Sequence, residues 1–134
     1  MAGTITITEV TYTSVRKVTL EWTSDASGNA DATTTKAFTG EVVRAVQLPD
    51  SGGTQPTDLY DVTVTDSDGA DVLHGLGANL SNAATTQKAQ KDGLGAVAAS
   101  KLTLNVSNAG SGKGGKAIVY LRSFIAPVGR RNKR

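Results

Sequence analysis

The sequence predicts an all-β fold: an antiparallel two-sheet β-sandwich, jelly-roll-like, with seven to eight strands. Thr- and Val-rich segments alternate apolar and polar side chains with a period of two, as half-buried strands do. Runs of Gly, Ser, Asn and Asp separate these segments at hairpin-like intervals. No long amphipathic helical pattern is present, which argues against parallel βαβ units.

Thr4–Tyr12 places Ile5 and Ile7 in one phase, then slips to Val10 and Tyr12, which suggests a bulge or a break. Val15–Thr23 sets Val18, Leu20 and Trp22 on one face and Lys17, Thr19 and Glu21 on the other. Ala30–Phe38 is a weaker, Thr-rich strand after the turn-like Ser24–Asn29. Glu41–Leu48 is apolar on both faces, as a central strand is, and a Pro49–Asp58 loop follows. Leu59–Thr65 turns Tyr60, Val62 and Val64 inward, enters the hairpin signature Asp66-Ser67-Asp68-Gly69, and returns through Asp71–Leu73.

His74–Lys91 lacks clear periodicity and leaves three readings open: a long loop, a short helix near Ala83–Ala89, or a further strand. A Gly/Ala stretch covers Asp92–Ser100. Lys101–Ser107 is a strand with Leu102, Leu104 and Val106 on one face. The Gly-rich Asn108–Gly115 loop leads into Lys116–Arg122, where Ile118 and Tyr120 oppose Val119 and Leu121. The expected organisation is one domain over residues 1–125, opening on an extended segment (1–12), and a basic C-terminal arm over 126–134.

Composition narrows the function. Gly, Ser and Thr make up 43 of the 134 residues, while aromatics are 4%. The core is therefore thin, since alanine and valine bury less apolar surface than larger side chains. Cysteine is absent, which excludes disulfides, thiolate metal sites and cysteine nucleophiles. A single His74 excludes a multi-histidine metal centre. No apolar run reaches the roughly 20 residues of a bilayer span, and the N-terminus lacks signal-peptide character. The net charge of +2 is a property of the C-terminus, where Arg130, Arg131, Lys133 and Arg134 supply four of 14 cations. The remaining ten cations face 12 anions, a net of −2, so nucleic acid is not an expected partner.

Each chemical motif has a plainer reading. Gly110–Lys116 fits G-x-x-x-x-G-K, yet Ala117 stands where a magnesium-holding hydroxyl belongs and a β run follows instead of a helix. Asp66, Asp68 and Asp71 lack the glycine position and the distal Glu of an EF-hand loop. His74 near Asp71 and Ser81 has no nucleophile elbow, so a hydrolase triad is not expected. No catalytic residue, cofactor or metal ligand is assigned.

The segments Leu20–Gly28, Leu59–Gly69 and Leu102–Gly110, with Lys116–Arg122, resemble small β-rich virion proteins of tailed bacteriophages, closest to head decoration (cement) proteins. The resemblance implies a non-enzymatic subunit on the capsid exterior, assembled in the bacterial host cytoplasm. Its implied partners are the major capsid protein and itself, as a dimer or trimer, with no membrane. The extended ends are the candidate contacts: Ile5 and Ile7 filling pockets beside a neighbouring sheet edge, and Phe124, Arg130, Arg131, Lys133 and Arg134 docking on acidic shell surface. The alternative is a carbohydrate- or receptor-binding module of a phage fibre or spike, with an exposed aromatic platform around Trp22 or Tyr60. A tail or connector protein is a third possibility.

Overall fold

A computed structural model describes residues 3–122. It is all-β and antiparallel, with nine strands in two sheets. The strands are β1 (Thr4–Tyr12), β2 (Val15–Thr23), β3 (Ala30–Thr33), β4 (Phe38–Pro49), β5 (Asp61–Thr65), β6 (Thr86–Ala89), β7 (Ala96–Ser100), β8 (Thr103–Ser107) and β9 (Gly114–Arg122). The large sheet runs β1-β2-β9-β4-β6, with β7 also on β4, and the small sheet runs β3-β8-β5. A jelly roll divides eight strands between two Greek keys; here the division is six and three.

Nine strands exceed the expected seven or eight because the aperiodic His74–Lys91 and the Gly/Ala stretch Asp92–Ser100 supply one each. Thr86–Ala89 is a strand, not a helix. It runs along β4 from Gln47 to Arg44, leaves it through a 3-10 turn at Gln90–Asp92, and returns as β7 from Glu41 to Phe38. Together they form one interrupted edge. Conversely, Asp71–Leu73 is not a strand; beyond a single Thr65–Asp71 bridge the chain coils. This coil still covers the free edge of β5, because Val72 N–H donates to Val64 O and Val62 N–H to Gly77 O.

The expected break in the first strand is also absent. All nine residues of β1 pair with β2 without a shift of register. Ile5 and Ile7 face the core, while Val10 and Tyr12 simply occupy the opposite face of an unbroken strand.

Both sheets feed one core. β2 contributes Val18, Leu20 and Trp22, β4 Phe38, Val42 and Ala45, and β9 Ala117, Val119 and Leu121. The small sheet answers with Ala30, Val62, Val64, Leu104 and Val106. Each large aliphatic group fully buried here contributes roughly 1.5–3 kcal/mol. Trp22 and Tyr60, both 1% exposed, meet at 5.7 Å between ring centroids, tilted by 45°. The indole lies across β9 because Gly115 has no side chain: a Cβ there would sit 2.8 Å from both Trp22 Cζ2 and Leu48 O.

Gly115→Ala is expected to destabilise the fold by about 1–3 kcal/mol through overpacking, measured by denaturant unfolding alongside a shift in Trp22 emission. Burial pushes the Tyr60 phenol from 10.0 up to about 12. The fold favours the neutral phenol, so this stability is intact below pH 10 and lost as pH rises through 12. Absorbance titration of phenolate against pH, with Tyr60→Phe as control, checks it.

Candidate interaction surface

The residues expected to reach a partner have two fates. Ile5 and Ile7 pack against the chain's own core, and they stand in register with Trp22 and Leu20 of β2. The pockets they fill are therefore internal, and the N-terminal segment is a strand of the domain, not an arm in front of it. Phe124, Arg130, Arg131, Lys133 and Arg134, and with them the 126–134 arm, lie outside the described residues.

The motifs set aside on sequence grounds resolve into turns. β9 begins at Gly114, so Gly114 and Gly115 sit in ladders with β2 and β4 and do not open a helix. Asp66 accepts the amides of Asp68 and Ala70, and Asp71 those of Leu73 and Gly75. Ser81 Oγ accepts from Ala83 and Ala84. Among the described residues no group of three or more His, Cys, Asp or Glu side chains is placed to hold a metal ion. Trp22 and Tyr60 are buried, so the aromatic platform of a sugar-binding module is not formed by them.

What the fold does assemble is the outer face of the large sheet. Strand alternation turns Val18, Leu20 and Trp22 inward, and the register carries the opposite parity across three strands. Lys17 of β2, Tyr120 of β9 and Arg44 of β4 stand in one cross-strand row. The Lys17 ammonium lies 5.9 Å and the Arg44 guanidinium 5.1 Å from the centre of the Tyr120 ring. Each such contact stabilises by about 0.5–1 kcal/mol at an exposed site. The next row is Thr19–Ile118–Val46, with Gln87 beyond it, and Val46 is only 5% exposed on this outer side.

Toward β1 the patch continues to Val10, opposite Lys17, and Tyr12, opposite Val15. These two are 40% and 58% exposed and are among the few large apolar side chains the fold leaves in solvent. Toward β6, Arg44 Nη2 donates to Gln87 Oε1 at 2.6 Å. There a cleft of about 300 Å³ is lined by Arg44, Gln87, Lys88, Lys91 and Asp92.

Charge is divided between the sheets. The strands of the large sheet carry six cations against three anions, whereas those of the small sheet carry Asp31 and Asp61 and no cation. Arg122 is partnered by Glu41 at 3.4 Å, and Lys116 stands opposite Glu21. Lys17 and Arg44 make no ion pair among the described residues and rest on Tyr120 instead. Tyrosine and arginine amid apolar neighbours is the composition of protein-binding surfaces.

Sequence reasoning missed this site although its signal was present. Ile118 and Tyr120 oppose Val119 and Leu121, and Lys17 opposes the core face of its strand; only the register shows that these positions meet.

No protein-family model, curated protein or solved structure matches this chain.

The loops that anchor the ends of the sheets carry a pH signature. Amide donors from Asn29 and Ser27 hold the Asp25 carboxyl below its ordinary value of 3.8. The stability it supplies is present above that value and is lost as pH falls through the lowered one. Asp25→Ala is expected to flatten the acid limb of a stability–pH profile below about pH 4, as read by thermal unfolding.

Proposed function

We propose that the chain is a non-enzymatic structural protein of a tailed-phage virion. In this reading it is a decoration subunit that binds the outside of the head and bridges neighbouring major capsid subunits. The observation that carries the binding role is the outer face of the large sheet, where Tyr120 lies between Lys17 and Arg44, cations without an ion pair among the described residues. Such a face docks on acidic surface, and repeated over a lattice it gains avidity without tight single-site affinity. The phage assignment rests on the resemblance of the strand segments named above.

The reading also changes which residues do the work. Ile5 and Ile7 serve the core, so contact with the shell passes from their side chains to Lys17, Arg44 and Tyr120. Bridging two shell subunits opposes their separation when packaged DNA presses outward, and needs only complementary surface on each.

The test is occupancy on phage heads purified without the protein. The native chain binds them, and the Lys17→Glu/Arg44→Glu pair is expected to weaken binding at least about tenfold, equivalent to ~1.4 kcal/mol. An unchanged melting temperature would show that the variant is folded. Native chain that fails to bind heads, or a charge-reversed variant that binds equally, overturns the proposal.

A further inference from the structure

Among the described residues, every sheet edge but one is blunted. β6 and β7 form an edge interrupted by the Gln90–Asp92 turn. The edge of β5 is covered by the coil after Asp71, through the Val72 and Gly77 hydrogen bonds. β3 is only four residues long. Interruption, cover and shortness are the usual devices that stop strands from pairing with other chains.

Past its first residues, β1 has none of them. It is nine residues long, unbroken in register, and contains neither Pro, Gly nor Lys. Its one charged residue is Glu9. Beyond the ladder with β2, Thr4–Tyr12 makes no backbone hydrogen bond to another described residue. The small sheet abuts it at its start, where Gly3 is packed against Asn29 and Ala30.

We infer that this edge pairs antiparallel with β1 of a second copy of the chain, about a two-fold axis through Thr8. The large sheets of the two molecules then become one continuous sheet. The occupant and the register follow from the strand itself. A two-fold axis normal to the sheet maps the edge onto itself, as a closed dimer requires. Centring on Thr8, the midpoint of the strand, is the register that pairs all nine residues. It places Glu9 opposite Ile7, whereas centring on Glu9 would set two carboxylates face to face, which is destabilising. The same register lays exposed Tyr12 and Val10 against Thr4 and Thr6 of the second copy, covering apolar side chains that the single chain leaves in water.

This inference does not depend on the shell partner, whose contacts are tested through Lys17 and Arg44. Because the chain has no cysteine, an introduced one reports position without background. Opposed residues of an antiparallel pair lie about 4.5–5.5 Å apart between Cα atoms, within disulfide range. Thr8→Cys is therefore expected to give a covalent dimer under mild oxidation. Thr6→Cys should not, since its symmetry mate would be displaced by four residues, roughly 13 Å along the strand. The native chain should sediment as a dimer, and Thr8→Lys, which sets like charges together on the axis, should shift it to monomer with the far-UV circular dichroism retained. If Thr8→Lys fails to fold, the cysteine pair decides alone. A monomeric native chain, equal cross-linking of the two cysteine variants, or a folded Thr8→Lys that remains dimeric overturns the inference.

Discussion

The double ladder of β9 is the constraint on which the rest of the large sheet depends. The last described strand is hydrogen-bonded to β2 on one side and to β4 on the other. Among the described residues β1 and β2 share no ladder with β4, β6 or β7, so the two halves of the sheet join there only through it. Its inner residues Ala117, Val119 and Leu121 complete the core floor, and its outer Tyr120 completes the cation row. The partners of β9 come from the first half of the chain. Such long-range pairing is slow to form, because loop closure must precede the contacts that stabilise it. The small residues at its start serve the same joint. Gly115 lets Trp22 lie across the strand, and Gly114 O accepts the amide of Asp50, tying on the loop after β4.

Much of this arrangement was legible wherever one face of a strand is buried and the other wet. The alternation of Val18, Leu20 and Trp22, of Val62 and Val64, and of Leu104 and Val106 marks strands whose inner residues are all in the core. The two-sided apolar character of Glu41–Leu48 matched its central place between β9 and the β6–β7 edge. The failures have physical causes. Thr86–Ala89 and Ala96–Ser100 lie on a sheet edge, and Ala, Gln and Lys there carry no strong apolar period. Asp71–Leu73 looks like a returning strand because Val72 and Leu73 are core residues. Asp71 instead spends both carboxylate oxygens on nearby amides and curls the chain away. In β1 the apparent slip was one regular strand with apolar residues on both faces, which a phase count cannot distinguish from a bulge.

The surface was harder to read than the core. Burial leaves a periodic trace within each strand, but a surface row is built across strands and exists only in the register. Lys17 and Tyr120 are neighbours because β2 and β9 pair in one alignment; a shift of one residue would exchange Tyr120 for the core position of Val119. The overall charge was equally uninformative. A net value near neutrality conceals large-sheet strands rich in cations and small-sheet strands with acids alone, a separation that chain order does not display.

The interruption between β6 and β7 has a bearing on growth as well as on shape. A sheet with two open margins is a monomer of a fibre, since each addition recreates the site for the next. Here the Gln90–Asp92 detour removes one margin from use, so the large sheet, as far as it is described, has a valence of one. The association proposed for β1 would consume that valence and stop. A threonine-rich edge that would otherwise invite runaway stacking is thereby confined to a finite assembly, and the chain terminates its own polymerisation by geometry.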